Sequence, residues 1–188
     1  ILDEKSSKRI KKAKIVANLP YYITTPIVMK LLEDRLDIES ITIMIQREVA
    51  ERLVAKPGTN LSGAISYAIS YYTEPEKVVD VPKEAFLPEP EVNSEVIKLK
   101  VLEYPSVRAE NEELLFRIIR LAFMQRRKTL LNALFNGNLM DDKQEIEKML
   151  EYLNIDKKIR GEKLTLGEFV KISDFMNKMY SQNTKKMI

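Results

Sequence analysis

The nine residues Asn18-Leu19-Pro20-Tyr21-Tyr22-Ile23-Thr24-Thr25-Pro26 leave the chain around them few ways to fold. Before them lies a short apolar run, Lys14-Ile15-Val16-Ala17. Its length and two β-branched residues read as a buried strand. Pro20 has no N–H to give to a ladder, so that strand must stop near Asn18. Thr25 followed by Pro26 reads as a helix start, with a side-chain oxygen at the N-cap and proline at the first helical position. The helix then runs from Ile27 to Asp34. A polar amide, a proline and two tyrosines are thereby presented between a strand end and a helix start, which is where open α/β sheets bind ligands.

The alternation continues. Ser40–Ile45 reads as a second buried strand, with Ile41, Ile43 and Ile45 alternating around Thr42 and Met44. Gln46–Val54 reads as a helix stopped by Pro57-Gly58, and Ala64–Tyr72 as a packed helix after the loop Asn60–Gly63. Strand–helix–strand–helix order implies a parallel sheet with helices on its faces. Lys77–Val81 and Glu95–Leu102 form the next strand pair, separated by the proline-stiffened loop Phe86–Ser94. Past the linker Tyr104-Pro105-Ser106 the strand signal disappears.

The remainder reads as helical. Leu114, Leu115, Ile118, Ile119, Leu121 and Ala122 share one arc of a helix over Glu112–Phe123, with Arg117 and Arg120 outside it. If that helix ran on, Arg127 and Lys128 would join the polar side and Arg126 would enter the apolar arc. A break at Gln125, or an internally paired Arg126, is therefore expected. Ile146, Met149, Leu150 and Leu153 recur at helical spacing, and Thr165-Leu166-Gly167-Glu168 is a capping box opening a helix through about Met179. Ser181–Ile188 reads as a frayed tail. Ile1–Lys12, basic through Lys5, Lys8, Arg9, Lys11 and Lys12, reads as a solvated connector.

Composition narrows the chemistry. With no Cys there are no disulfides, Cys-based zinc sites or thiol nucleophiles. With no His the usual general base and metal ligand are gone, and no metal is expected. A net charge of +3 requires any nucleic-acid contact to come from a local patch. No apolar run approaches membrane-spanning length and the start is not signal-like, so no membrane partner and a soluble, cytoplasmic protein are expected.

Asn18-Leu19-Pro20-Tyr21 with Ile23-Thr24-Thr25-Pro26 resembles the catalytic loop of the ribosomal RNA adenine dimethyltransferases, in the wording of members that act on small-subunit RNA. Phe86-Leu87-Pro88-Glu89-Pro90-Glu91-Val92-Asn93-Ser94 resembles a second motif of that family, Phe-x-Pro-x-Pro-x-Val-x-Ser. Phe123–Leu134 and Arg160–Leu164 resemble two more, in the same order. The resemblance implies transfer of methyl groups from S-adenosylmethionine to adenine amino nitrogens, with a role in ribosome biogenesis. Chemistry accounts for the residue types independently. An adenine amino group is flattened by conjugation with its ring. The Asn18 side-chain oxygen and the Leu19 carbonyl, accepting its two hydrogens, would free its lone pair. The face of Tyr21 would hold the base. What the resemblance adds is that Pro20 shapes the loop and Phe86 covers the opposite face of the base, so that Tyr21 and Phe86 sandwich it.

By the same resemblance Arg126, Arg127 and Lys128, with Arg117 and Arg120, become candidates for phosphate contact. The expected fold class is α/β. Residues 1–104 would form the C-terminal half of a doubly wound (Rossmann-like) methyltransferase sheet, and 105–188 a small all-helical RNA-binding domain. The five glycines, at 58, 63, 137, 161 and 167, form no Gly-rich cofactor turn. The chain is therefore expected to be the latter part of a longer enzyme and inactive alone. It would keep Asn18 as its one cofactor-side residue and expose a sheet edge through which it could self-associate. The expected partner is small-subunit ribosomal RNA or its precursor particle. Alternatives are a large-subunit RNA adenine methyltransferase of the antibiotic-resistance type, a DNA adenine methyltransferase, and a non-catalytic RNA-binding or assembly factor.

Overall fold

The computed structural model describes residues 12–140 and 142–186. The basic opening stretch, apart from Lys12, lies outside them. Strands β1 (Ala13–Asn18), β2 (Ile38–Gln46), β3 (Thr73–Val81) and β4 (Ser94–Val101) form one sheet in the order β1-β2-β4-β3. Helices α1 (Thr24–Glu33), α2 (Arg47–Val54) and α3 (Ala64–Tyr72) are interleaved with them. Four more follow: α4 (Glu112–Met124), α5 (Leu130–Asn136), α6 (Lys143–Tyr152) and α7 (Leu166–Lys186).

β1 pairs parallel with β2, whereas β4 is antiparallel to both β2 and β3. β1, β2 and β3 thus run the same way, and β4 is inserted against them, so the expected parallel sheet is mixed. Its register lines up Ile41 with Leu99, Ile43 with Ile97 and Ile15 with Ile41 on one face. There they pack with Val28 and Leu32 of α1, Ala50 and Leu53 of α2, and Ile69 of α3. On the opposite face Thr42, Met44, Val96 and Lys98 are only half-buried, and Val16 is 81% exposed. β1 is therefore not the buried strand its local composition suggests but the exposed sheet edge that the resemblance implies. It is an edge whose outer face is bare, because no described element covers that side.

β3 begins earlier than its hydropathy indicates and contains Pro75, which an edge strand tolerates because one row of its N–H groups has no ladder partner. A second cluster, built on Leu115, Ile118, Leu134, Met149 and Phe169, forms the core of the helical part. α3 belongs to both clusters: Ile69 faces the sheet, whereas Tyr67 and Tyr71 face the helices. The Tyr67 hydroxyl donates to the Leu164 carbonyl at 2.6 Å and accepts from the Gly58 N–H at 3.1 Å. Gly161 lets the segment before α7 lie against α4, since a Cβ there would sit 2.6 Å from the Ala122 Cβ.

The chain ends of the helices follow local rules. Glu168 and Thr165 exchange both halves of a capping box, Glu168 Oε2 accepting from the Thr165 N–H at 2.7 Å and Thr165 Oγ1 from the Glu168 N–H at 3.3 Å. α7 then runs on to Lys186, past the point near Met179 where fraying was expected. α4 stops at Met124, and α5 restarts under a Thr129 cap.

Candidate adenine-binding site

β1 ends where Pro20 dictates. The Leu19 N–H still donates to the Met44 carbonyl at 3.4 Å, and then the chain turns through Tyr21–Ile23 into α1. The expected Thr25 cap is not what starts that helix. Buried Thr24 donates its hydroxyl to the Pro20 carbonyl at 3.2 Å, and the Ile23 N–H reaches the same oxygen at 3.2 Å. Pro26 consequently falls inside the first turn, where a missing N–H costs no helical bond.

The second loop closes from the other side of the sheet. Asn93 clasps its base: its side-chain oxygen accepts from the Lys83 N–H at 3.0 Å, and its carbonyl accepts from the Arg47 N–H at 3.0 Å. Lys83 also pairs with Glu89 at 2.6 Å. The tip, Leu87, is fully exposed.

These two loops meet. Asn18, Leu19, Pro20 and Tyr21 form one wall of an open groove of about 320 Å³, and Phe86, Pro88 and Pro90 form the other. All five residues expected to carry the chemistry therefore line a single space. Among the described residues the Asn18 side chain has no hydrogen-bond partner, so its amide is open to a ligand. Tyr21 and Phe86 make no ring contact with each other, leaving the interval between them available. The Tyr21 hydroxyl is engaged, sharing a 2.9 Å hydrogen bond with Oγ of fully buried Ser94. Ser94 carried no role at the level of sequence, although it closes the Phe-to-Ser motif. Tyr22 lies outside the groove and is largely exposed.

The five candidate cations are not gathered in the same way. α4 breaks at Gln125, and Arg126 is also internally paired. It binds Glu162 at 3.0 Å and the Asn60 carbonyl at 3.2 Å, with its guanidinium 6.0 Å from the Phe123 ring centroid. Arg127 and Lys128 stand exposed beside it, with no side-chain partner among the described residues. Arg117 lines a separate groove of about 580 Å³ with Asp142, Met176 and Met179. Arg120 borders a third, with Met29, Ile65 and Phe116.

Between the sheet and the helical part, Arg35 and Glu112 form an ion pair, and the Tyr72 hydroxyl donates to Glu112 at 3.3 Å. Partial burial opposes ionisation of Glu112. Nevertheless, Arg35 and the Tyr71 and Tyr72 hydroxyls hold its carboxyl below the ordinary carboxylate range. Burial first, and the Glu112 charge next, push Tyr72 up to about 12.

Residues 2–178 match the family model described as ribosomal RNA adenine dimethylase. The chain is 50% identical over 171 residues to the ribosomal RNA small subunit methyltransferase A of Bacillus pumilus, covering 89% of this chain and 58% of that protein. It is 47% identical over 169 residues to the protein of the same name from Alkaliphilus oremlandii, covering 90% and 58%. The chain thus spans less than three fifths of the length of these relatives. A dimethyladenosine transferase from Plasmodium falciparum superposes with a TM-score of 0.74 at 25% identity, over 88% of this chain and 66% of that one. The 23S rRNA methyltransferase ErmE shares the fold, with a TM-score of 0.62 over 87% of this chain and 65% of that one, at 20% identity.

Proposed function

The chain belongs to the ribosomal RNA adenine dimethylase family, and on that premise we propose that it is the substrate-side portion of an enzyme that methylates adenine amino groups in small-subunit ribosomal RNA, working in the cytoplasm on the RNA or its precursor particle. The observation that carries this reading is the groove in which Asn18, Leu19, Pro20 and Tyr21 face Phe86. The Asn18 side-chain oxygen and the Leu19 carbonyl accept the two hydrogens of the amine, turning its lone pair out of conjugation. Tyr21 and Phe86 hold the base, which must leave its stack to reach them. The unengaged Asn18 amide also fits a role beside S-adenosylmethionine, which would supply the electrophilic methyl group.

We assign residues 1–104 to this site and residues 105–188 to an RNA-facing helical domain, a division supported by the two core clusters, which α3 bridges. Arg127 and Lys128 contact phosphate. The bare edge of β1 supports self-association of the chain.

Co-sedimentation tests the substrate. The chain should bind small-subunit particles from cells lacking the adenine methylation, and bind methylated particles or large-subunit RNA more weakly. Preference for large-subunit RNA would transfer the activity to the other branch of the family.

A further inference from the structure

We infer that Ser94 is a positioning residue: its hydroxyl ties Tyr21 in place across the end of β2, so that the ring on the first loop stands at a fixed separation from Phe86 on the second. The inference rests on the reading of the groove as an adenine clamp.

The sheet register makes the tie informative. Asn18 is paired with Met44 on β2, while Gln46, two residues further along β2, is paired with Ser94 on β4. β1 and β4 are therefore not neighbours at this level, and β2 lies between them. Tyr21, three residues beyond Asn18, reaches over the end of β2 to a residue on the far side. The 2.9 Å bond it makes there is the one side-chain link between the two loops among the described residues.

Both ends of the tie are held rigidly. Ser94 is 0% exposed and opens β4, where it pairs with Gln46 on one side and Val81 on the other. The adjacent Asn93 clasps the loop that carries Phe86. Tyr21 is 36% exposed, and its hydrogen-bonded restraints are this contact and the short turn closed by the Ile23 N–H on the Pro20 carbonyl. A buried hydroxyl with a single side-chain partner is costly to orphan, which fixes the pairing. The ring face is left for a base, and the hydroxyl sets the geometry. Tyrosine rather than phenylalanine at position 21 follows from that division.

The test is a double-mutant cycle of Tyr21→Phe and Ser94→Cys in the 188-residue chain, the second being close to isosteric so that no cavity is opened. The probe is an RNA hairpin carrying 2-aminopurine in an unpaired loop. Its fluorescence at saturating protein reports stacking, and anisotropy of the same RNA reports affinity. Each single variant should shift the stacked-to-unstacked equilibrium by about fivefold, the worth of one neutral hydrogen bond. The double variant should be no worse than either single one. Overall affinity, set mainly by phosphate contacts, should fall by no more than that same factor. Circular dichroism confirms that each variant is folded, and a Ser94→Thr variant, which keeps the hydroxyl, should stack the probe as the unaltered chain does. Additive effects, or unaltered stacking in folded Ser94→Cys and Tyr21→Phe while Tyr21→Ala abolishes it, overturn the inference alone. A hairpin that shows no stacking in the unaltered chain, or one indifferent to Tyr21→Ala and Phe86→Ala, overturns the clamp itself and the inference with it.

Discussion

At Asn18 the proposed reaction would ask for hydrogen-bond acceptors rather than for an acid or a base, and a chain without His offers one in an amide that no described residue engages. In a protein competent for methyl transfer, Asn18→Ala should raise the barrier by about 2.7–4 kcal/mol, the scale for removing one preorganised polar group. Single-turnover methylation with RNA affinity measured in parallel separates the two effects, and affinity should hardly move. Tyr21→Ala and Phe86→Ala should each weaken engagement of the base by roughly 1–3 kcal/mol, the usual worth of base–aromatic stacking. Ring chemistry alone makes Tyr21→Phe harmless. The bond to Ser94 changes that expectation to an intermediate loss, because the ring survives and its anchor does not.

At the scale of the element, the turn between α4 and α5 separates three adjacent cations: Arg126 is paired within the chain, whereas Arg127 and Lys128 are exposed and are the proposed phosphate contacts. Arg126 holds Glu162 and the Asn60 carbonyl, joining that turn to the segment before α7 and to the loop after α2. Arg127→Ala with Lys128→Ala should therefore flatten the salt dependence of RNA binding by a slope of roughly 0.7–0.9 for each phosphate no longer neutralised, with no change in unfolding. Arg126→Ala should instead lower the urea midpoint and leave the slope nearly intact. Salt titrations of binding and urea melts on the same two variants decide this, and a steep loss of slope in Arg126→Ala would show that its guanidinium leaves Glu162 for RNA. Amphipathic spacing alone indicated either a break at Gln125 or an internal partner for Arg126, since the apolar arc could not take an unpaired cation. The partner Glu162 was not legible, because it lies thirty-six positions away in sequence.

At the scale of the molecule, Arg35, Tyr71, Tyr72 and Glu112 join the sheet to the helical part. Glu112 titrates below its ordinary value when folded, so it stabilises the fold above the unfolded carboxylate range, and that contribution is lost as pH falls through the lowered value. Tyr72, raised to about 12, works in the other sense: its contribution is complete below its ordinary value near 10 and is lost as pH rises from there towards 12. Urea midpoints measured across both windows should show the acid loss shrink in Glu112→Gln and the alkaline loss shrink in Tyr72→Phe. Unchanged profiles would place the junction's stability in apolar packing alone. The bare edge of β1 belongs to this scale too. Size-exclusion chromatography with light scattering should find the chain self-associated, and Val16→Lys, which puts a charge on the edge strand, should shift it towards monomer. A wild-type monomer at high concentration would show the edge to be innocuous.

Sequence alone determined what depends on neighbours along the chain. Pro20 ended β1, Ile41, Ile43 and Ile45 made β2, the capping box opened α7, and four ordered motifs placed Asn18, Tyr21 and Phe86 in one family. These are properties of backbone geometry, side-chain period and local hydrogen bonding, which a few residues specify. Tertiary structure alone decided the rest. It inserted β4 against its neighbours and moved the N-cap of α1 from Thr25 back to Ile23, so that Thr24 rather than Pro26 is the first helical residue. It also gave Tyr21 a partner seventy-three residues away in Ser94. Each of these outcomes turns on which surfaces meet across long stretches of chain, and no local pattern of polarity encodes that choice.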